Sequence, residues 1–311
     1  MAHTKYLLFG FDMETDVGST SRNYEGVQRG TPEIVRILEK HGVPATFLFT
    51  GDCARKNGNI LSMINAHGYE IGCHSLFHED MGEPSFETSS QGMVLEEELE
   101  HRLRLNIAVL KETTGKDPVS FRSPRGFGSN NLMKTLEKLR FRIDSSYMQS
   151  MHLKRNFPYR VSREDWKEAG PGAILELPLV AFDMENASDN TYQKMLDAWP
   201  RIRTHGADFV FQGIKPIVER QLREEGISAL TFYLHPWEFF PMPTSIRYAE
   251  GVLQYDEFLF KNTGERQAAE FDRFLQLCLE DRFTVIDFRT FLDVFPAEKQ
   301  GRRTRRTRTR V

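Results

Sequence analysis

The run "KYLLFGFDME" (residues 5–14) is apolar for most of its length and then ends on two carboxylates. A strand buried on both faces reads as such a near-continuous apolar run, which is the habit of parallel sheets. After a Gly-containing loop comes "TPEIVRILEKHG" (31–42), where Thr31 is the expected N-cap, Pro32 the first helical residue and Gly42 the stop. This strand-then-helix unit recurs along the chain. Further strand segments are "PATFLFTG" (44–51), "YEIGCHS" (69–75), "VSFRSP" (119–124), "FRIDSSY" (141–147), "AILELPL" (173–179), "LTFYLHPW" (230–237) and "FTVIDF" (283–288). Between them lie amphipathic stretches such as "NILSMINAHG" (59–68), "MVLEEELEHRLRLNIAVLKETTG" (93–115), "TYQKMLDAWPRIR" (191–203) and "ERQAAEFDRFLQLCLEDR" (265–282). Strands alternating with helices predict a parallel sheet wrapped by helices.

A (β/α) barrel needs about 250 residues, so at 311 residues a distorted barrel of seven to eight strands is the economical closure. The structural rival is an open doubly wound sheet, but the first βα turn lacks a G-x-G-x-x-G fingerprint. There is no internal repeat and no Pro/Ser-rich linker. Residues 1–295 are therefore expected to form one α/β domain, and 296–311 a basic, solvated tail with six arginines.

The hydrophobic fraction is 40%, enough for a real core. No apolar run approaches the roughly 20 residues that span a bilayer, and acids follow the first apolar run with no small-residue cleavage site. A cytoplasmic protein is the resulting expectation. Three cysteines, Cys53, Cys73 and Cys278, form no C-x-x-C pair and imply no disulfide framework. The net charge of −3 gives no reason to expect a nucleic-acid partner beyond what the arginine tail alone suggests.

Polar residues gather at the strands' C-terminal ends: Asp12 and Glu14, His74, Arg122, Asp144 and His235. In a parallel barrel those ends open onto one face, where catalytic groups reside. Along an extended strand, residues i and i+2 share a face, so Asp12 and Glu14 point together while Met13 points into the wall. Two carboxylates so placed repel unless a positive group joins them. The plain alternative is a solvated loop with Glu14, Thr15 and Asp16 as turn residues. In "HSLFH" (74–78) the spacing of two histidines puts both imidazoles on one side of a helical turn, within reach of one ion. Cys73 faces away and is not counted as a ligand. Two imidazoles and one carboxylate leave positions open for water and substrate, as catalytic sites do. Asp12 is then the general base if Glu14 is the ligand, and His235 in "YLHPWEF" the general acid. Pro236 favours an extended His235. Arg122 in "FRSPRG" is placed to hold Asp12 ionised, while Arg125 is expected to face solvent or substrate.

"FDMET", "HSLFH", "RSPRG", "IDSSY" and "LHPWE", in that order, resemble the motif set of the polysaccharide deacetylases, the NodB-homology domain of carbohydrate esterase family 4. The resemblance runs from the first strand to "LHPWE". It implies a distorted barrel, commonly seven-stranded, and a divalent metal, usually zinc, held by Glu14, His74 and His78. It further implies Asp12 as base, Arg122 as its orienting partner, His235 as acid and Asp144 as the aspartate supporting that acid. The first motif departs from the family pattern of adjacent aspartates, since Met13 separates the acids and the second is glutamate. That variant is similar to the branch containing cytoplasmic deacetylases and allantoinase- or imidase-like hydrolases, and it leaves Asp16 as an alternative ligand. The expected function is metal-dependent hydrolysis of a C–N amide bond in an amino sugar of a glycan or glycan precursor. The alternatives are hydrolysis of a small cyclic amide or imide, and a non-catalytic binding module on the same fold. The partner is a small-molecule or oligosaccharide substrate, with a second copy of the chain possible. Residues 148–172 and 239–251 are expected pocket walls.

Overall fold

The structure, a computed structural model, describes residues 4–18, 21–83, 93–148, 157–181, 201–248 and 251–295. The strands in this range are β1 (Thr4–Met13), β2 (Thr46–Phe49), β3 (Glu70–Cys73), β4 (Ser120–Phe121), β5 (Ile143–Asp144), β6 (Tyr159–Arg160), β7 (Leu175–Glu176), β8 (Ile227–Leu234), β9 (Ser245–Tyr248), β10 (Gly251–Gln254) and β11 (Phe283–Val285). The helices are α1 (Thr31–His41), α2 (Gly51–Lys56), α3 (Gly58–Ala66), α4 (Leu99–Thr114), α5 (Asn130–Lys138), α6 (Arg201–His205), α7 (Ala207–Glu225), α8 (Glu257–Phe260), α9 (Glu265–Glu280) and α10 (Phe288–Val294).

Each of the strand segments read from the sequence is a parallel strand of one sheet, ordered β11-β1-β2-β3-β4-β5-β7, with β8 on the other edge of β1. β6 adds to β7 antiparallel, and β9 with β10 forms a separate hairpin. The sheet curls until Leu179, just past β7, bridges Thr231 of β8, with the Val180 N–H donating to the Thr231 carbonyl at 2.9 Å. That closure makes a ring of β1, β2, β3, β4, β5, β7 and β8. β11 is the distortion. It pairs with Lys5–Leu7 at the base of β1, below the Gly10–Met13 stretch that pairs with β2.

The two-residue period of the strands sorts their side chains into two cores. Leu8, Leu48, Ile143, Leu175, Leu177 and Ala229 fill the barrel with Phe288 of α10. Their neighbours Phe9, Phe11, Phe47, Phe121 and Phe232 face the helices, where Phe9 meets Phe271 of α9 edge-on at 5.2 Å. Cys73 belongs to that outer core, away from the interior. A buried carboxylate closes the base of the barrel: Glu70 accepts hydrogen bonds from Thr46 Oγ1 (2.8 Å), Ser120 Oγ (2.6 Å) and the Arg289 N–H (2.9 Å).

One local expectation is corrected. Gly42 ends α1 in a left-handed conformation (φ 63°), as read, but Thr31 does not cap it. A π-helical turn, Gly26–Gly30, runs straight into α1 instead. That turn lies against the backbone of Pro236 and Trp237: a Cβ on Gly30 would stand 2.0 Å from the Pro236 oxygen, and one on Gly26 2.2 Å from Trp237 Cα. Only glycine permits so close an approach. The arginine tail and most of "TYQKMLDAWPRIR" lie outside the described residues.

Candidate metal and catalytic site

At the C-terminal end of the barrel, alternation along β1 carries Gly10, Asp12 and then Glu14 inward, and both acids are buried. β3 delivers His74 to the same space, β4 delivers Arg122 and β8 delivers His235, all buried. Gly10 makes room for this. A Cβ there would lie 2.6 Å from one terminal nitrogen of Arg122 and 2.9 Å from Phe288. Gly10→Ala is therefore expected to destabilise the protein by about 1–3 kcal/mol, as overpacked cores do, and to displace Arg122 from Asp12. The urea midpoint and kcat should both fall.

Glu14 Oε2 is 3.3 Å from His74 Nε2 and 2.5 Å from His78 Nε2. Burial by itself raises the Glu14 pKa, yet the charge of His78 and the hydrogen bonds from both imidazoles outweigh it and hold the carboxyl well below its usual range. Asp12 turns Oδ1 to Arg122 at 2.6 Å. Its Oδ2 is 4.0 Å from the Nε2 atoms of both His74 and His235. Arg122 is itself fixed by donating to the Ser145 carbonyl (2.8 Å) and the Ser145 hydroxyl (3.0 Å).

The residues fit a divalent metal. One ligand atom each from Glu14, His74 and His78 lies within 4.8 Å of the others, the one such group among the described residues. His74 Nδ1 is 2.8 Å from the Arg122 carbonyl oxygen. A carbonyl only accepts, so the ring proton belongs on Nδ1 and the Nε2 lone pair is free to face the site. Asp16, the alternative ligand, is otherwise engaged, accepting from the backbone N–H groups of Gly26 (2.8 Å) and Glu25 (3.0 Å).

"HSLFH" does not reach this geometry through a helical turn. Ser75 and His78 both adopt left-handed backbone (φ 62° each) in an irregular loop. Glu79 accepts from Ser75 Oγ (3.1 Å) and the Phe77 N–H, and Asn106 donates to the Ser75 carbonyl. Arg125, expected to face solvent or substrate, is paired with buried Asp80.

His235 has the extended backbone expected before Pro236 (φ −126°, ψ 144°) and stacks on buried Trp237 with ring centroids 5.2 Å apart. Its Nδ1 meets Glu238 Oε1 at 3.1 Å, and Nε2 faces Glu14 Oε1 at 3.7 Å. Burial lowers the imidazole pKa, but the Glu238 hydrogen bond and the nearby carboxylates outweigh it and raise the pKa overall.

The carboxylate in contact with His235 is thus Glu238, not Asp144. The pleat explains the correction: Ile143 and Ser145 face the barrel, so Asp144 between them points to the outer side. There it pairs with Glu176, its register neighbour on β7, and accepts a hydrogen bond from Ser146 Oγ. Ser146 Oγ accepts in turn from the Ser123 N–H at 2.8 Å, tying the strand ends beside Arg122. Glu238 is the residue that sequence reading missed. Its signal was an acid three residues after His235, with Pro236 opening a short helical turn.

Burial pushes Asp144 up to about 6 and Glu176 well above the ordinary carboxyl range. Acids whose pKa is higher folded than unfolded bind more protons when folded, so their contribution to stability is lost as pH rises. Wild-type stability should fall as pH rises above about 4, through the Asp144 value of about 6 and on through Glu176 above it. Glu176→Gln, whose amide can still donate to Asp144, should flatten that fall. Urea midpoints at pH 5 and pH 8 are the measurement: the variant should gain on wild type at pH 8.

These features define a NodB-like barrel with a Glu/His/His cluster beside an Arg-held aspartate. Residues 7–143 match the family model described as polysaccharide deacetylase, and the chain is similar to those proteins over that stretch. Over 174 residues it is 28% identical to the peptidoglycan-N-acetylmuramic acid deacetylase PdaA of Bacillus subtilis (strain 168), covering 53% of this chain and 61% of that protein. The alignments to the first curated relatives cover 44% to 61% of their lengths. A polysaccharide deacetylase structure from Mycobacterium smegmatis, described there as putative, superposes with a TM-score of 0.64 at 20% identity, covering 100% of this chain and 96% of that one. The structure of Puue allantoinase gives 0.60 at 15% identity, covering 93% and 88%. At these identities the likeness is one of fold.

Proposed function

We propose that the protein is a metal-dependent hydrolase that removes an N-acyl group from an amino sugar of a glycan or glycan precursor. The observation that carries this reading is the convergence of Asp12, Glu14, His74, His78 and His235 at one barrel mouth, in a chain whose curated relatives include a peptidoglycan-N-acetylmuramic acid deacetylase. Glu14, His74 and His78 are the residues that would hold the ion, zinc being the expected one. A divalent cation in that pocket supplies Lewis-acid polarisation of a carbonyl and lowers the pKa of water.

The chain's own groups then divide the proton transfers. Asp12, held through Oδ1 by Arg122, takes a proton from the attacking water on Oδ2. A C–O bond forms at the acyl carbon as the C–N bond breaks. The departing nitrogen needs a proton to leave as an amine, and His235 Nε2 is the donor facing the site. Water is consumed, and a carboxylic acid and a free amino sugar are produced.

No helix among the described residues is long and apolar enough to cross a membrane. A cytoplasmic placement, with a soluble precursor as substrate, is part of the proposal. The test is acetate release by the zinc-supplemented protein from N-acetylglucosamine oligomers and from N-acetylmuramic acid glycans. Release above a zinc-only blank supports the reading. Ring opening of allantoin or a cyclic imide, with no acetate from any glycan, would replace it with the cyclic-amide alternative.

A further inference from the structure

Behind His235 lies an ion pair with no contact with solvent. Arg203 of α6 donates through Nε to Glu238 Oε2 at 3.1 Å, and both side chains are 0% exposed. Glu238 Oε1 meets both the backbone N–H (2.9 Å) and ring Nδ1 (3.1 Å) of His235. One carboxylate therefore fixes the backbone and the imidazole of the same residue. Arg203 has further anchors: a terminal nitrogen donates to the carbonyls of Phe258 (2.9 Å) and Lys261 (2.7 Å), and its guanidinium lies 5.7 Å from the Trp237 ring that stacks on His235.

Burying such a pair strips both partners of water, and an apolar pair of similar volume commonly matches or exceeds its stability. Stability alone is thus a weak reason for a fully buried Arg–Glu pair here. Orientation is a stronger one. An ionised carboxylate only accepts, so it selects the His235 state with a proton on Nδ1 and turns Nε2 into the site. Without a cation against Oε2, a carboxylate at zero exposure favours its neutral form, and a carboxylic acid no longer makes that selection.

We propose that Arg203 and Glu238 are positioning residues that, with Trp237, hold the His235 ring so that Nε2 faces Asp12 and Glu14. The proposal rests on reading His235 as the proton donor to the leaving nitrogen. It departs from the arrangement expected from the motifs, in which an aspartate of "IDSSY" would have supported the histidine.

The experiment compares wild type, Glu238→Gln, Arg203→Met and Arg203→Lys, all zinc-loaded, on two acetyl donors. An N-acetylglucosamine oligomer has an amine leaving group that must be protonated. p-Nitrophenyl acetate has a leaving group that departs unprotonated. A lost positioning role predicts that Glu238→Gln and Arg203→Met lower kcat on the amide by roughly 10²-fold, with KM and zinc content unchanged and the aryl ester rate near wild type. Arg203→Lys should recover part of the amide rate. Equal losses on both donors, or none on either, would overturn the proposal. Should Arg203→Met fail to fold, the near-isosteric Glu238→Gln and Arg203→Lys carry the same comparison.

A second readout does not depend on turnover. In 15N-histidine spectra of the zinc-loaded protein at the assay pH, wild-type His235 should be protonated on Nδ1 toward Glu238 as well as on the donating Nε2, and Glu238→Gln should lose the Nδ1 proton. An unchanged His235 signal in the variant contradicts the positioning role. A wild type with the expected signal but no activity on either donor would instead remove the deacylase reading and leave the positioning intact.

Discussion

Asp12→Asn is expected to lower kcat by about 10²–10⁴-fold, the usual worth of a general base, while the metal content stays at the wild-type level. The asparagine oxygen can still accept from Arg122, which holds Asp12 Oδ1 at 2.6 Å, so the side chain should keep its place. What is lost is the basic oxygen facing the two Nε2 atoms at 4.0 Å. An amide nitrogen cannot take a proton from water at neutral pH. KM should change little, because the loss falls on the transition state and not on uniform binding. If the variant instead emptied of metal, Asp12 would be a ligand and its role as base would have to be given up.

His74→Ala is expected to abolish activity through a different route, by removing one of the three candidate ligands Glu14, His74 and His78. A ligand that binds only the folded state stabilises it, by about 2.7 kcal/mol when free ligand is at 100 times Kd. Added zinc should therefore raise the Tm of wild type and leave that of His74→Ala unmoved. The comparison separates a metal site from a structural histidine. A structural role would lower the Tm of the variant with or without zinc, yet leave the zinc-induced rise in place.

Every parallel strand was legible because a strand buried on both faces is written in apolar residues, and the chain places a helical pattern between most consecutive pairs, though not between β5 and β7. Five of the six ionisable residues read at the strand ends do converge. The sixth, Asp144, failed on parity. One residue along a strand reverses the face, and in "FRIDSSY" the apolar Ile143 was the marker of the inward position. The two histidines of "HSLFH" do converge with Glu14, but not by the helical turn expected, since the convergence depends on two left-handed residues that no spacing rule anticipates. β6 and the β9–β10 hairpin were missed because they carry no apolar run: β6 is Tyr159–Arg160, and Gly251–Gln254 is exposed throughout. Gly26 and Gly30 looked like loop residues. Their reason, the close passage of the His235–Trp237 turn, is a contact between segments about 200 residues apart in the chain.

The central claim is that Glu14, His74 and His78 together hold one divalent ion. Elemental analysis of purified wild type, Glu14→Gln and Asp16→Asn, each after zinc addition and desalting, tests it directly. The geometry predicts about one zinc per chain in wild type and in Asp16→Asn, whose carboxylate is spent on the Glu25 and Gly26 amides, and none in Glu14→Gln. Zinc retained by Glu14→Gln, or absent from wild type, would contradict the account.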